Sequence, residues 1–510
     1  MKNIIIIVTA FLFSMSLTSC EDFLTEMPTT SVTSITSITN VADAETAITG
    51  VYSKMTSSSY YGRLFLLYAD YKGSDLTIFS LGRGDSALFA FQHEENNNAY
   101  GGYWEAIYND ILQVCNIIER GEALKANGNL NSSDLSKLNN VLGQAYTLRA
   151  MFHFDLVRLY GAPYQKDKGV SYGVPIVTKV LSALETLGRN TVAEVYEQVI
   201  SDLNTALPLI SKDKTNGEIN YYGTIAELAR VYLYMGDYAK ALSNSEIIIN
   251  DGHYTLYTPS TWVASWKKQF GSESIFELYV SSDDGNDLAK SSPRWYNLAK
   301  GQGEGASGCW IASEPFMERL GEDPTDVRWG IMQPDEYALC GPGGVNTTPV
   351  YIEGRRGSIM KYDGDGKSTT TATNIKVIRL SEIYLIASEA AFNTNDKAKA
   401  AKYLNEIRKR SLALDPATSS TISIDMILNE RSKELILEGH RYFDQMRIGR
   451  TITFDDTTLG VKSGFMDFVL YPPESRGTTV DWNYYRAILP ISLDEINANT
   501  VIAAQQNPGY

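Results

Sequence analysis

Three glutamates near the end of the chain have the residue type and the spacing that acid–base catalysis requires. Glu430, Glu434 and Glu438 recur every four residues, and a helix would place their carboxylates on one face. Two such carboxylates can hydrolyse a glycosidic bond, one as the acid and the other as the base or nucleophile. Three arginines stand near them in the sequence: Arg431, Arg441 and Arg447. Carboxylates among arginines form structural ion pairs more often than acid–base sites, so we predict an ion-pair network and no catalytic residue.

The other patterns that support catalysis or metal binding are weak. The four histidines are too widely spaced for a metal site, and His153, between two phenylalanines on a predicted helix, is predicted to be a core residue. No Gly-x-Ser-x-Gly motif stands between a strand and a helix, so a serine nucleophile is not indicated. Residues 363–366, Asp-Gly-Asp-Gly, resemble part of a calcium loop but lack its later ligands, which favours an exposed turn. We predict no metal and no cofactor.

The first forty residues carry signals for export and attachment. Lys2 and the apolar run from Ile4 to Leu17 are typical of a signal peptide, and Leu17-Thr18-Ser19-Cys20 resembles a bacterial lipoprotein signal. We therefore predict a signal peptide at residues 1–19 and acylation of Cys20. Residues 20–40, rich in Thr and Ser, would form a flexible tether behind the lipid. The alternative is an ordinary signal peptide with a cysteine there by chance.

The three further cysteines match no zinc-binding spacing: Cys115, Cys309 and Cys340. Cys115 lies in a helical pattern and is predicted to be a small buried residue. Cys309 and Cys340 lie in loop-like sequence. They either form a disulfide in an oxidising compartment or remain free thiols, and the spacing leaves both interpretations open.

Composition indicates a large globular protein that does not bind nucleic acid. The chain has 510 residues, 44% of them hydrophobic, which is enough for a sizeable core. Its formal net charge is −15. An acidic surface repels phosphate backbones and anionic headgroups, so membrane attachment is expected to depend on lipid rather than on a basic patch.

Apolar residues recur with the helical period over most of the chain. The predicted helices cover residues 41–55, 103–125, 135–160, 191–209, 221–235, 238–250, 380–392, 397–411 and 425–439. Short turns join 221–235 to 238–250 and 380–392 to 397–411, and large and small residues alternate across them as in tetratricopeptide repeats. Residues 60–102 and 251–375 are weakly periodic and rich in Gly, Ser, Asn and aromatic residues, so we predict long functional loops there.

Motifs in a fixed order along nearly the whole chain resemble the SusD/RagB family of nutrient-binding outer-membrane lipoproteins from Bacteroidetes. They are Cys20-Glu21-Asp22-Phe23-Leu24, Trp104-Glu105-Ala106-Ile107-Tyr108, residues 145–161 (AYTLRAMFHFDLVRLYG), residues 379–385 (RLSEIYL), Glu430-Arg431, Glu434-Leu435, Glu438-Gly439, Leu489-Pro490-Ile491 and Gln506-Asn507-Pro508-Gly509-Tyr510. Each is an ordinary peptide, and their order behind a lipoprotein signal makes the resemblance specific. Ser492 departs from the pattern, since the family commonly has proline there.

The resemblance implies a mainly α fold, a right-handed superhelix of about four tetratricopeptide-like helix pairs with a loop-rich, irregular ligand-binding part. Residues 41–510 would form a single domain with helical repeats mainly at 41–58, 103–250 and 376–445. It also implies a non-catalytic, lipid-anchored protein of the outer membrane, facing outward from the cell. Such a protein captures oligo- or polysaccharide and delivers it to a SusC-like TonB-dependent transporter. The acidic pair Glu21-Asp22 resembles the family's surface-export signal.

Sugar capture requires aromatic rings beside hydroxyl-binding groups, because a pyranose has apolar C–H faces and a rim of hydroxyls. Two stretches combine them, residues 75–103 and the region from Arg294 to Trp310, and the family's starch-binding members use the same two regions. The predicted ligand-binding residues are Asp75, Arg83, Phe91, Asn98, Tyr100, Trp295, Tyr296 and Trp310. Trp262 and Trp266, spaced i, i+4, are predicted to pack in the core instead.

Three alternatives to glycan capture remain open. A peptide or glycoprotein ligand fits the RagB branch of the resemblance equally well. A glycoside hydrolase would use the glutamates described above. A pure scaffold would support the transporter while the ligand binds elsewhere. The identity of the sugar lies in loops whose geometry the sequence does not reveal.

Overall fold

The computed structural model of the chain describes residues 38–78, 91, 93–96, 102–182, 185–281, 310–333, 356–362, 373–454 and 479–510. The predicted signal peptide, Cys20, the tether before residue 38, Cys309, Cys340 and the Asp-Gly-Asp-Gly turn lie outside these residues. Among the helices within them, none is both long enough and apolar enough to cross a membrane.

Helices dominate the described residues, as the periodicity predicts. In chain order they are α1 (Val41–Met55), α2 (Leu64–Lys72), α3 (Gly102–Ala126), α4 (Ser132–Tyr160), α5 (Tyr164–Asp167), α6 (Val192–Ala206), α7 (Tyr221–Met235), α8 (Tyr238–Asp251), α9 (Pro259–Ser265), α10 (Glu314–Gly321), α11 (Leu380–Asn393), α12 (Lys397–Arg408), α13 (Ile424–Leu435), α14 (Arg441–Met446), α15 (Leu493–Ala498) and α16 (Thr500–Ala503). The prediction of a mainly helical fold is confirmed, whereas the right-handed superhelix of four helix pairs stays a prediction.

Short strands pair in four two-stranded antiparallel ladders. The strands are β1 (Leu76–Ile78), β2 (Ser274–Leu278), β3 (Trp310–Ala312), β4 (Met332–Gln333), β5 (Ser358–Ile359), β6 (Ile375–Arg379), β7 (Ile452–Thr453) and β8 (Thr479–Val480). β1 pairs with β3, β2 with β6, β4 with β5 and β7 with β8. The β1–β3 and β2–β6 ladders join segments far apart in the sequence, whereas β4–β5 and β7–β8 join segments fewer than thirty positions apart.

The two predicted helical hairpins share one turn chemistry. Gly236 and Asn395 each adopt a left-handed conformation, with φ of 79° and 66°. The aspartate that follows each of them caps the next helix, and its side chain accepts a hydrogen bond from the backbone N–H of Lys240 or Lys399. Gly and Asn tolerate positive φ and Asp is a strong N-cap, so these two short turns are encoded locally.

Glycines on α3 and α4 allow neighbouring segments to approach closely. A Cβ atom on Gly121 of α3 would lie 2.8 Å from Leu142 Cδ2 on α4. A Cβ atom on Gly143 would lie 2.6 Å from the Cβ atom of Ile210. Both contacts are shorter than van der Waals distance. A larger residue at Gly121 would require the Leu142 side chain to move, whereas one at Gly143 would also lie 2.7 Å from the Ile210 backbone nitrogen and would displace that segment.

The stretches predicted as loops contain regular structure. α2 lies inside residues 60–102, and α9 and α10 lie inside 251–375, so the loop prediction was wrong at these positions. α2 escaped detection because its sequence, LFLLYADYK, is mostly apolar around the helix and shows no amphipathic period. Trp262 and Trp266 are buried, which confirms their predicted place in the core.

Candidate functional site

The β1–β3 ladder brings the two predicted ligand-binding stretches together. Ile78 pairs with Trp310, and Leu76 pairs with Ala312. The first stretch continues from β1 into residues 79–90, and the second reaches β3 from residue 309. The two stretches therefore adjoin at one end of a single ladder, although the paired residues Ile78 and Trp310 are 232 positions apart in the sequence.

Asp75 immediately precedes β1 and is fully buried. Its carboxylate forms ion pairs with Arg319 and Arg441, the latter at 3.2 Å, and accepts a hydrogen bond from the Ser432 hydroxyl at 2.7 Å. Its carbonyl accepts a hydrogen bond of 2.9 Å from the backbone N–H of Ser313. Burial denies a ligand access to this side chain, so the prediction that Asp75 contacts the ligand is corrected: Asp75 is a buried ion-pair partner.

Trp310 also has an interior place, with an exposed fraction of 2%. Its ring stacks on Tyr71 of α2, with centroids 3.4 Å apart and planes inclined by 13°. The prediction that Trp310 lies on an exposed binding surface is therefore wrong. The Trp310 ring instead packs the second stretch against Tyr71 on the buried helix α2.

Phe91 is the third predicted contact residue that lies in the interior. It is 4% exposed and has a φ of 55°. Its ring packs near Tyr442 and Phe454, with centroids 6.1 and 5.9 Å away. The Lys72 ammonium group lies 4.2 Å above the ring, and burial lowers the pKa of Lys72 well below its usual value. We therefore reassign Phe91 from the ligand surface to the core.

The remaining predicted ligand-binding residues lie outside the described part of the chain: Arg83, Asn98, Tyr100, Trp295 and Tyr296. Their roles stay predictions. Cys115, by contrast, is described as a buried free thiol, and burial raises its pKa to about 11.

The glutamates at 430, 434 and 438 form the predicted ion-pair network, with partners that the sequence did not identify. Glu430 pairs with Arg328 at 2.7 Å, Glu434 with Arg379 at 3.2 Å, and Glu438 with Arg379 at 2.7 Å. The arginines that are neighbours in sequence pair elsewhere: Arg431 with Asp444, Arg441 with Asp75, and Arg447 with Glu389. Arg328 and Arg379 lie more than fifty positions before the glutamates they pair with, a relationship that local spacing cannot reveal.

Electrostatics in this network oppose acid catalysis by Glu438. Burial alone would raise its pKa, but Arg379 and Lys361 outweigh burial and lower the pKa to about 2. A general acid in glycoside hydrolysis needs the opposite shift, because it must hold a proton at working pH. The described geometry therefore gives this side chain a structural role.

His153 is a core histidine with both ring nitrogens bonded, as predicted. Its Nδ1–H donates to the Arg149 carbonyl at 2.9 Å, and its Nε2 accepts from the Val177 N–H at 3.1 Å. Burial lowers the pKa of this histidine to about 4, so the ring is neutral at physiological pH. Across the described residues no group of three or more His, Cys, Asp or Glu side chains is arranged to hold a metal ion.

A pocket of about 600 Å³ opens beside the start of α3, and the sequence did not predict it. Three segments line it: α3 with Trp104, Tyr108 and Asn109, a second segment with Pro175, Val177, Leu181, Glu185 and Leu187, and the C-terminal segment at 492–499. The part of the pocket that the sequence displays is Trp104, Glu105 and Tyr108, which lie within about one turn of α3. The other two walls come from elsewhere in the chain, so these residues alone did not define a concave site.

Two family models match the chain and together cover most of it. The model of the SusD family matches residues 330–510. The model described as starch-binding associating with outer membrane matches residues 22–233.

Solved structures and curated relatives extend the similarity over nearly the full length. The chain is 32% identical to a SusD superfamily protein from Bacteroides thetaiotaomicron VPI-5482, covering 92% of this chain and 100% of that one with a TM-score of 0.82. It is 31% identical to a putative sugar binding protein from Bacteroides vulgatus ATCC 8482, covering 93% and 100% with a TM-score of 0.80. It is also 25% identical over 474 residues to SusD-like protein P2 of Formosa agariphila, covering 86% of this chain and 90% of that protein.

Proposed function

Because the chain belongs to the SusD superfamily, we propose that it captures oligosaccharide at the bacterial surface and passes it to a SusC-like TonB-dependent transporter. The binding surface is formed by the two stretches that adjoin at the β1–β3 ladder. The family model described as starch-binding and the relative described as sugar binding support a glycan as the ligand.

The observation that carries this proposal is the pairing of Ile78 with Trp310. It joins the sequence that contains Arg83, Asn98 and Tyr100 to the sequence that contains Trp295 and Tyr296. Rings and amide groups from both sides would then meet one ligand, the rings stacking on sugar C–H faces and the polar groups binding hydroxyls. Asp75 and the Trp310–Tyr71 stack hold the base of this surface and do not contact the sugar.

Attachment through acylated Cys20 would keep the protein at the outer membrane beside the transporter. The match to a family model described as associating with the outer membrane supports this location. A net charge of −15 disfavours attachment through anionic headgroups, so the acyl chains on Cys20 would supply the attachment.

Isothermal titration calorimetry on protein lacking residues 1–20 tests the proposal. A panel of oligosaccharides identifies a ligand, and Trp295→Ala and Tyr296→Ala are then expected to weaken its binding by at least about tenfold. Tyr221→Ala, which removes a partly buried ring from α7, is the matched control and should bind normally. Unchanged affinity in both loop variants would reject this surface, and release of reducing sugar from the bound glycan would indicate a hydrolase instead.

A further inference from the structure

We propose that the pocket beside Trp104 is a second saccharide-binding site, selective for neutral sugars. Its volume of about 600 Å³ lies within the range of small-ligand sites in proteins. It is built from described residues of three segments that only the folded chain brings together.

Hydrogen bonds tie the pocket's three walls to one another. The Trp104 Nε1–H on α3 donates to a Glu495 carboxylate oxygen at 3.2 Å, and the Asn499 amide donates to the other oxygen at 3.2 Å. The Asn499 amide also donates to the Leu187 carbonyl at 2.9 Å. The Tyr108 hydroxyl donates to the Pro175 carbonyl at 2.8 Å. The walls are fixed before a ligand arrives, which lowers the entropy cost of binding.

The lining offers both apolar surface and hydrogen-bonding groups, which match the C–H faces and the hydroxyl groups of a sugar ring. The Trp104 ring is only 7% exposed and packs against the half-buried Tyr108 ring, with centroids 4.8 Å apart and planes at 53°. Tyr108, Leu112 and Leu187, all half-buried, supply the accessible part of the apolar wall. These surfaces suit pyranose C–H faces. Asn109 adds an exposed side-chain amide that can both donate to and accept from hydroxyl groups.

Charge in the pocket selects against acidic sugars. Four carboxylates line it: Glu105, Glu185, Asp494 and Glu495. No lysine or arginine is among the described lining residues. Lys179 pairs with Glu185 at 2.7 Å, and both Glu495 oxygens hold donors of the protein, so these two carboxylates are already partnered. The exposed Glu105 and Asp494 remain as hydroxyl acceptors, while a uronate or sulfate group would be repelled.

Calorimetry on protein lacking residues 1–20 and carrying Trp295→Ala and Tyr296→Ala tests the pocket without the loop surface. The probes are neutral gluco-, xylo-, manno- and galacto-oligosaccharides, trigalacturonate as the anionic counterpart, and spermidine as a cation. We expect a neutral probe to bind and Asn109→Trp, which fills the pocket from an exposed position, to weaken that binding at least about tenfold. Ala123→Trp is the matched control, because it lies about 21 Å further along α3 at 1.5 Å per residue.

The outcomes separate this site from the proposed loop surface. The pocket proposal is overturned if no neutral probe binds this protein, if both tryptophan variants behave alike, or if trigalacturonate or spermidine binds more tightly than every neutral probe. If Asn109→Trp weakens binding while the two loop substitutions change nothing in the otherwise native protein, the pocket stands and the loop surface fails. Loss of binding from the loop substitutions alone gives the reverse result.

Discussion

The backbone of Ile78 pairs with the backbone of Trp310 in an antiparallel ladder of three residue pairs. This contact joins two stretches whose composition predicts sugar binding, and it rests on buried groups that no ligand reaches. Asp75 holds the ladder through arginines, and Trp310 holds it through Tyr71. Asp75 and Trp310, which the sequence predicted to touch a ligand, are thus buried residues that support the ladder.

Replacing Asp75 by alanine is expected to destabilise the protein by about 3–5 kcal/mol, because Arg319 and Arg441 would lose their buried partner. Urea denaturation of the protein lacking residues 1–20 measures the change. Asp425→Ala removes an exposed partner of Arg450 and should cost no more than about 1 kcal/mol. Equal losses in the two variants would contradict the anchoring role of Asp75.

Replacing Trp310 by alanine is expected to lower the free energy of unfolding by about 3–5 kcal/mol, since a buried stacked ring would leave a cavity. Trp310→Phe keeps an aromatic ring against Tyr71 and should lose less. Thermal denaturation followed by circular dichroism gives both values. A Trp310→Ala protein with native stability and weakened sugar binding would instead restore this residue to the ligand surface.

Asp110 makes stability depend on pH in the direction opposite to most carboxylates. Burial raises its pKa to about 7, and the charge of Lys54 only partly offsets that shift. Between about pH 4 and pH 7 the folded state keeps a proton that the unfolded state has released, so stability falls as pH rises, by at most about 1.4 kcal/mol per unit.

Asp110→Asn removes this dependence without changing the shape of the side chain. The variant should match the native protein near pH 4 and exceed its stability at pH 8, as measured by urea denaturation at each pH. Asp415→Asn makes the same charge change at an exposed position and serves as control. An Asp110→Asn protein that is less stable than the native protein at pH 8 would show that the carboxylate is needed in its ionised form.

Replacing Cys20 by alanine is expected to leave glycan affinity in solution unchanged and to impair growth on the glycan. The predicted acyl chains keep the protein near the transporter, and a soluble protein loses that proximity. Growth curves, with immunoblots to confirm equal protein abundance, measure the effect. Normal growth with unlipidated protein would mean that the anchor is dispensable for uptake.

Local sequence was sufficient for most of the helical framework. α1 and α7 begin and end where the apolar period predicts, and the turns at Gly236-Asp237 and Asn395-Asp396 follow from positive φ and N-capping. These features depend on residues within a few positions of one another, which a single sequence displays directly. The family resemblance likewise depends only on motifs and their order along the chain.

Which side chains are buried, and which groups they pair with, depended on contacts between segments that are distant in the sequence. Asp75 is interior because Arg319 and Ser432 reach it from 244 and 357 positions away, and composition alone predicted a surface residue. α2 was missed because a helix buried on most sides has no polar face to mark its period. The pocket beside Trp104 required three segments to converge. The exposure of a residue depends on which other parts of the chain pack around it, so only the tertiary structure shows that Asp75, Phe91 and Trp310 are buried.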